Sequence, residues 1–411
     1  MQRDLDRLME KRDLDAIVVG GAVHANPPLY YLTNGAPLMD ALVLKRRGAT
    51  PVLVVRAMER EVAQSAGLPI ILETRYDYRG LLKRYDGDVL QAKVAYLQRI
   101  FDEQGVTGRV GFYGLQDQGA AYTLLRALQE ATPAIEVVGE INDDLITEAR
   151  ATKTPQEAER IAGVGRRTVE IVRELLIYLQ QHSVSPQETL LRADGSELLV
   201  GHVHAHIHRL VALQGLEVPE GFIFATGRDA GIPHSQGTLS KAVRLGESIV
   251  FDIFPCEAGG GYFFDLTRTF CLGYAPAEVE RLHNETLSCL KQLTGAVTPG
   301  QQTGHYQEMT CSFYAQRGHP TICEDSTGLE GYVHGIGHGV GLKLHEAPSF
   351  RDTPDNRYHL QPGHIFTLEP GLYYPEAGMG CRLEDVIWID DQGAVHNLTD
   401  CPYDLVIPMG E

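Results

Sequence analysis

Tryptophan is almost missing from this 411-residue sequence, at one residue, and cysteine is sparse, at seven. Cys256, Cys271, Cys289, Cys311, Cys323, Cys381 and Cys401 all fall in the second half, are odd in number and show no CxxC spacing. That argues against a zinc ribbon or a disulfide frame, and leads us to expect reduced thiols and a cytoplasmic chain. Basic residues are also short, 36 Lys and Arg against 54 Asp and Glu, for a net charge of −18. Such a balance speaks against nucleic-acid backbones and anionic membranes as partners. No apolar run approaches the ~20 residues of a membrane span, so no membrane partner is expected. The opening stretch MQRDLDRLMEKRDLD is charged and amphipathic, unlike a secretory signal. A hydrophobic share of 43% and a charged share of 22% are ordinary for a globular protein, and the length suits two domains.

What is present is concentrated in GESIVFDIFPCEAGGGYFFDLTRTF, residues 246–270. Two apolar runs, Ile249–Phe251 and Tyr262–Phe264, each lead into an aspartate, Asp252 and Asp265. A Pro/Gly-rich turn lies between them, which predicts a hairpin with one acid per strand. Residues of one parity share a face, so both acids can point the same way. Acids in so apolar a setting are costly unless a cation compensates them.

The pattern occurs twice. Gly246 and Asp252 recur as Gly363 and Glu369, Gly261 and Asp265 as Gly380 and Glu384, and PQEAERI at Pro155 as PAEVERL at Pro276. The offsets are 117, 119 and 121 residues, as one duplication with small insertions requires. Each half is therefore expected to be helix followed by a curved hairpin sheet, packed about a pseudo-twofold with four carboxylates at the centre. Four converging acids imply divalent metal.

The first ~145 residues alternate strand and helix signals. A helix is expected over 2–12, strands at 16–19, 41–44, 52–55 and 110–113, and a helix near 119–130. No catalytic set stands out there. A boundary is expected in the polar stretch 140–153, giving domains 1–145 and 150–411. Thr154-Pro155-Gln156-Glu157 reads as a capping box opening a helix whose buried face is Ile161, Val164, Thr168, Ile171 and Leu175.

Among the histidines, His338 sits in GIGHGVG, His345 in KLHEAP and His234 in AGIPHS. A carboxylate-rich site often adds an imidazole for Mn, Co or Zn. The tract HVHAHIH, residues 202–208, has no accompanying acid or cysteine and no copy in the repeat. We read it as the polar face of a helix starting near Gly195.

Taken together, FDIFPCEAGGGYFFDLTRTF, GIGHGVGLKLHEAP, FTLEPGLYYP and GCRLEDV resemble the pita-bread metallopeptidases: prolidases, Xaa-Pro aminopeptidases and methionine aminopeptidases. The resemblance implies an α/β creatinase-like N-terminal domain and an α+β pita-bread C-terminal domain with internal pseudo-twofold duplication. YYLTNG, Tyr30 to Gly35, is similar to a signature of that N-terminal domain, which methionine aminopeptidases lack. Carried over from the family, the metal ligands are Asp252, Asp265, His338, Glu369 and Glu384, for two divalent ions per subunit. Creatinases, by contrast, keep the fold without these ligands. Asp252 and Asp265 stand two residues further apart than the family's pair, so a longer turn is expected.

The implied activity is hydrolysis of Xaa-Pro bonds in small peptides, first as a dipeptidase, alternatively as an Xaa-Pro aminopeptidase. A non-catalytic binding protein of the same fold is the rival from another class. Glu369 is the candidate proton carrier, and His345 with His234 the stabilisers of the developing oxyanion. Tyr373, His334 and Arg382 are candidate substrate contacts, with Arg382 alternatively an anchor for the ligands. Arg268 is expected in either a site role or a structural ion pair. The segment 318–334 is expected to overhang the site and restrict it to dipeptides. Family members are commonly dimers or tetramers, so a homo-oligomer is expected.

Overall fold

A computed structural model describes residues 4–141 and 143–410. The chain divides into two compact units: the first runs to Arg150 and includes Gly259–Gly261, the second comprises Ala151–Ala258 and the chain from Tyr262 onward.

The first unit contains α1 (Leu5–Lys11), β1 (Ala16–Gly21), α2 (Pro27–Thr33), β2 (Ala41–Arg46), β3 (Val52–Val55), β4 (Ile70–Leu72), α3 (Tyr78–Arg84), α4 (Val89–Gln104), β5 (Gly108–Tyr113), α5 (Gln118–Ala131), β6 (Ile135–Val138) and most of α6 (Leu145–Ala151). Positions 2 and 3 of the expected opening helix lie outside the described residues; Leu5, Leu8 and Met9 form its buried face. The strands make one sheet in the order β4-β3-β2-β1-β5-β6. β2 runs antiparallel to both its neighbours, while β1–β5, β5–β6 and β3–β4 are parallel. Val18, Leu44, Val54 and Val110 from the strands pack on Leu97, Ile100 and Phe101 of α4 and Leu128 of α5.

The second unit opens with α7 (Pro155–Gln180), followed by β7 (Ser183–Val184), β8 (Leu190–Leu191), α8 (Val200–Leu213), β9 (Leu216–Glu217), β10 (Phe222–Thr226), β11 (Ile249–Ile253), β12 (Cys256–Glu257) and β13 (Leu266–Leu272). The capping box is formed: the Thr154 amide donates to Glu157 Oε2 at 2.8 Å, and the Glu157 amide to Thr154 Oγ1 at 3.3 Å. All five residues of the expected apolar face of α7 are buried. The second half then repeats helix before sheet, with α9 (Ala277–Ala296), α10 (Gly304–Ala315), β14 (His338–Gly339), β15 (Glu346–Ser349), β16 (Ile365–Leu368), β17 (Gly371–Tyr374), β18 (Met379–Arg382), β19 (Asp385–Ile389), β20 (Val395–Asn397) and β21 (Val406–Ile407). One sheet has the order β10-β11-β13-β21 and the other β15-β14-β16-β19-β20, with β17–β18 as a separate hairpin. The duplicated pairs β11–β13 and β16–β19 are both antiparallel.

Three expectations need correction. Tyr262–Phe264 is not a strand; the ladder begins at Leu266. Tyr262 instead donates its hydroxyl to Glu157 Oε1 at 2.7 Å, and the Phe264 ring fills the space where Gly165 of α7 lacks a Cβ. α8 starts at Val200 rather than near Gly195, because residues 189–199 turn back in short β-bridges, Leu191 with Glu197 and Leu199 with Ala242. Finally, Cys311 and Cys323 form a disulfide, while the other five cysteines are free and buried. Parity could not reveal a bridge joining α10 to the loop that follows it.

Candidate metal centre

Each acid is placed by a strand or a strand end. Asp252 lies in β11 directly opposite Thr267 of β13. Asp265 immediately precedes β13, two residues before Thr267, and so shares that face. In the second half Leu368 pairs with Asp385, leaving Glu369 just past β16 and Glu384 just before β19, at the open end of the ladder. His338 opens β14, which joins β16 through Gly339 opposite Phe366. The glycines beside it are required sterically. A Cβ on Gly337 would collide with the Thr367 carbonyl oxygen, and one on Gly339 with that of Ala347.

These placements bring one ligand atom each of Asp265, His338 and Glu384 within 4.8 Å of one another. His338 Nε2 lies 3.6 Å from Asp265 Oδ2 and 3.6 Å from Glu369 Oε1. Asp252 belongs to the same field, since its charge raises the pKa values of Asp265, Glu369 and Glu384. Burial and then the neighbouring carboxylates push Asp265 and Glu384 well above the usual carboxylate range. Burial pushes Glu369 up to about 8, against the opposing pull of Arg382. Burial also takes His338 down to about 3, with His345 adding to the fall, so its imidazole is neutral and able to ligate.

The donor set fits divalent cations on a direct observation. Asp252 Oδ1, Asp265 Oδ1 and Glu384 Oε1 are buried without any hydrogen-bond partner. Three orphaned carboxylate oxygens in one cluster are a standing cost, unless they coordinate a cation. Hard oxygens with one imidazole suit first-row divalent ions.

Around the cluster runs a second set of fixed contacts. The buried guanidinium of Arg382 donates to Asp252 Oδ2 at 2.5 Å, Tyr373 Oη at 2.7 Å, the Pro233 carbonyl at 3.1 Å and Thr267 Oγ1 at 3.3 Å. Thr267 in turn donates to Glu384 Oε2 at 2.7 Å. Tyr373 Oη lies 2.8 Å from His334 Nε2, and His334 Nδ1 lies 2.7 Å from the Gly335 carbonyl. That pair of contacts is satisfied when His334 is neutral, with the proton on Nδ1 and Tyr373 donating. Burial and the charge of Arg382 hold His334 down near 3, in agreement.

His345 is exposed, and its ring centroid stands 4.1 Å from that of His338. His234 is also exposed, and its charge acts on both His334 and His345. All ten candidate residues thus fall in one neighbourhood. Arg268 adjoins them in a structural role: it spends its donors on Asp385 Oδ1 at 2.9 Å and on the carbonyls of Thr267, Glu384, Cys401 and Pro402. It is a buried structural ion pair.

The histidine tract is occupied by local contacts. His202 Nδ1 accepts from the Leu199 amide, His204 Nε2 meets the Gln236 carbonyl, His206 stacks on Tyr178, and His208 packs edge-on to Phe222. The loop 318–334 is anchored by the disulfide and by reciprocal backbone hydrogen bonds between Gly331 and Tyr373 at 2.9 and 3.0 Å.

Sequence reading passed over two members of the neighbourhood. Thr267 was detectable as the residue opposite Asp252 and two beyond Asp265. Glu346 follows His345 directly and forms a buried ion pair with Lys153 at 2.7 Å, which fixes the strand just past that histidine. No local signal joined Lys153 to it across 193 residues.

Comparison with known proteins adds the relatives. The sequence signature of metallopeptidase family M24 matches residues 166–391. An Xaa-Pro dipeptidase of Pyrococcus furiosus is 22% identical over 393 residues, covering 95% of each chain. Among solved structures, the prolidase of Pyrococcus horikoshii superposes with a TM-score of 0.71 at 21% identity, over 97% of this chain and 98% of that one. An X-Pro aminopeptidase from Thermotoga maritima gives a TM-score of 0.73 at 20% identity, over 97% and 99%. At these identities the superpositions carry the fold.

Proposed function

The chain belongs to metallopeptidase family M24, with a creatinase-like α/β domain before a duplicated pita-bread domain, and from that premise we propose that it hydrolyses Xaa-Pro peptide bonds as a dipeptidase. The observation that carries the proposal is the cluster of Asp252, Asp265, His338, Glu369 and Glu384 with its three unpartnered carboxylate oxygens. The domains are assigned as 1–145 and 150–411, the second carrying the chemistry. Asp252, Asp265, His338, Glu369 and Glu384 would together hold the divalent ions (Mn, Co or Zn), two per chain. When bound, such ions polarise the scissile carbonyl and make water acidic enough to attack near neutral pH.

The chain's own residues supply the rest. Glu369 takes a proton from the attacking water and delivers it to the proline nitrogen as the bond breaks. His345 and His234, both exposed beside the cluster, donate to the carbonyl oxygen as its negative charge grows. Arg382 is already committed to Asp252, Thr267, Tyr373 and Pro233, so we assign it to orienting Asp252. His334 lines the substrate side, whereas Tyr373, expected there too, is fully buried and its hydroxyl is spent between Arg382 and His334, so it positions rather than touches substrate. An Xaa-Pro bond has no N–H and a fixed ring, so shape must replace strand-like recognition.

A second reading, Xaa-Pro aminopeptidase, is favoured by one observation. A dipeptidase must hold the proline carboxylate, and of the two groups expected to do so Arg382 is fully engaged and His334 is neutral. The loop 318–334 is the element we assign to excluding longer peptides. The chain is taken to act as a homodimer or homotetramer in the cytoplasm. Metal-loaded protein assayed on Ala-Pro and on Ala-Pro-Ala decides between the readings. The dipeptidase reading expects turnover of the first alone; efficient tripeptide cleavage overturns it, and cleavage of neither overturns both.

A further inference from the structure

The first unit holds a cavity of about 570 Å³ that none of the preceding chemistry uses. Its position follows from topology. From β1 the chain adds β2, β3 and β4 on one side and then returns to add β5 and β6 on the other. The order therefore reverses between β1 and β5, and open α/β sheets bind ligands in the crevice beyond the carboxyl ends of strands at such a point. Gly20 and Gly21 at the end of β1 and Tyr113 and Gly114 at the end of β5 line the cavity, as do Val55 and Arg56 from the end of β3.

The lining has an apolar body and a charged rim. Leu42, Val54, Leu97, Phe112, Leu124 and Leu125 form the body. The helix above is only partly seated: Leu128 of α5 is fully buried, whereas Leu124 and Leu125, a turn earlier, stay half-buried over the opening. At the rim stand two acids and two bases, Asp40, Glu73, Arg56 and Lys93. Asp40 and Arg56 are paired at 2.6 Å. Glu73 and Lys93 form no ion pair among the described residues, and Lys93 shares a face of α4 with the lining residues Tyr96 and Leu97. A volume in the usual small-molecule range, an apolar interior and one uncommitted charge of each sign define the ligand's chemistry.

The geometry points to a binding site for a small zwitterion with an apolar side chain, between an amino acid and a dipeptide in size. Its ammonium would meet Glu73, its carboxylate Lys93 and Arg56, and its side chain the Leu42–Phe112 interior. The inference stands apart from the peptidase reading, and neither depends on the other.

Calorimetric titration of the intact protein tests it, with phenylalanine and leucyl-phenylalanine as probes, each beside its uncharged N-acetyl amide. At least one zwitterion is expected to bind saturably, and its blocked form about tenfold or more weakly. Lys93→Glu, an exposed change, is expected to weaken binding by a similar factor, and Leu125→Trp to abolish it by filling the cavity. Glu369→Gln, which touches only the metal centre, should leave binding intact. The inference is overturned if neither zwitterion saturates, if the blocked forms bind equally, or if Lys93→Glu and Leu125→Trp leave the affinity unchanged while Glu369→Gln removes it.

Discussion

Arg382 shows how one residue can tie a cluster of side chains together. Its guanidinium reaches four acceptors, and the shortest contact fixes the carboxylate of Asp252. Removing it would leave that carboxylate buried and unpaired, an arrangement that costs several kcal/mol when no cation compensates. Arg382→Met is therefore expected to lower divalent-metal affinity about 10–100-fold, as loss of an outer partner of a ligand typically does. Arg382→Lys should recover little, since an ammonium cannot span these directions. Titration of both variants with Mn²⁺ checks this, and undiminished affinity in Arg382→Met would refute the assignment. The sequence placed Arg382 near the acids but left its role open, because parity along a strand says nothing of acceptors supplied by Pro233 and Tyr373.

Protonation at the same residues sets a pH dependence. Glu369 is raised to about 8, and Asp265 and Glu384 are raised in the same direction by burial and mutual repulsion. Buried neutral imidazoles such as His334 and His338 work the other way below the ordinary histidine pKa, so the folded metal-free protein binds more protons than the unfolded chain only from there up to about pH 8. Stability must fall as pH rises through that window. Chelator-treated protein is expected to lose melting temperature from about pH 7 to 8.5, and metal-loaded protein to lose much less, because coordination takes the place of the protons. Equal slopes for the two forms would count against the cluster as the source.

At the scale of elements, acid-bearing apolar runs were legible and apolar runs without a ladder partner were not. Ile249–Ile253 and Ile365–Leu368 became strands β11 and β16, each leading to a ligand position. Tyr262–Phe264 looks the same in sequence, yet its side chains serve α7 through Glu157 and Gly165. Apolar content marks burial, and only pairing partners distributed along the chain decide between ladder and packing. The GIGHGVG stretch was legible for a steric reason: two neighbouring backbones occupy the space a side chain would need beside His338. Gly339→Ala is expected to displace β14 from β15, costing about 1–3 kcal/mol as overpacking generally does. Thermal unfolding together with metal titration measures it. Wild-type values for both would show that the close approach is not needed.

For the whole molecule, the duplication was the strongest message in the sequence, because three separate matches keep nearly one offset. It implies both antiparallel pairs and marks the four carboxylates of the candidate cage. The disulfide and the cavity beyond β1 and β5 were invisible for a common reason. The bridge pairs two of seven cysteines with no distinguishing spacing and the cavity gathers residues from distant strands, so neither leaves a recognisable pattern. Thiol count alone pointed to fully reduced cysteines, whereas Cys311 and Cys323 are bridged.

The account rests on a cage of four carboxylates and one imidazole holding divalent cations, and metal stoichiometry tests that most directly. Protein stripped with chelator, reloaded with Mn²⁺, Co²⁺ or Zn²⁺ and freed of excess ion should retain about two equivalents per chain. Asp265→Asn should retain fewer, with Xaa-Pro hydrolysis lost in parallel. Wild-type protein that retains no ion, or an Asp265→Asn variant that retains as much as wild type, would contradict it.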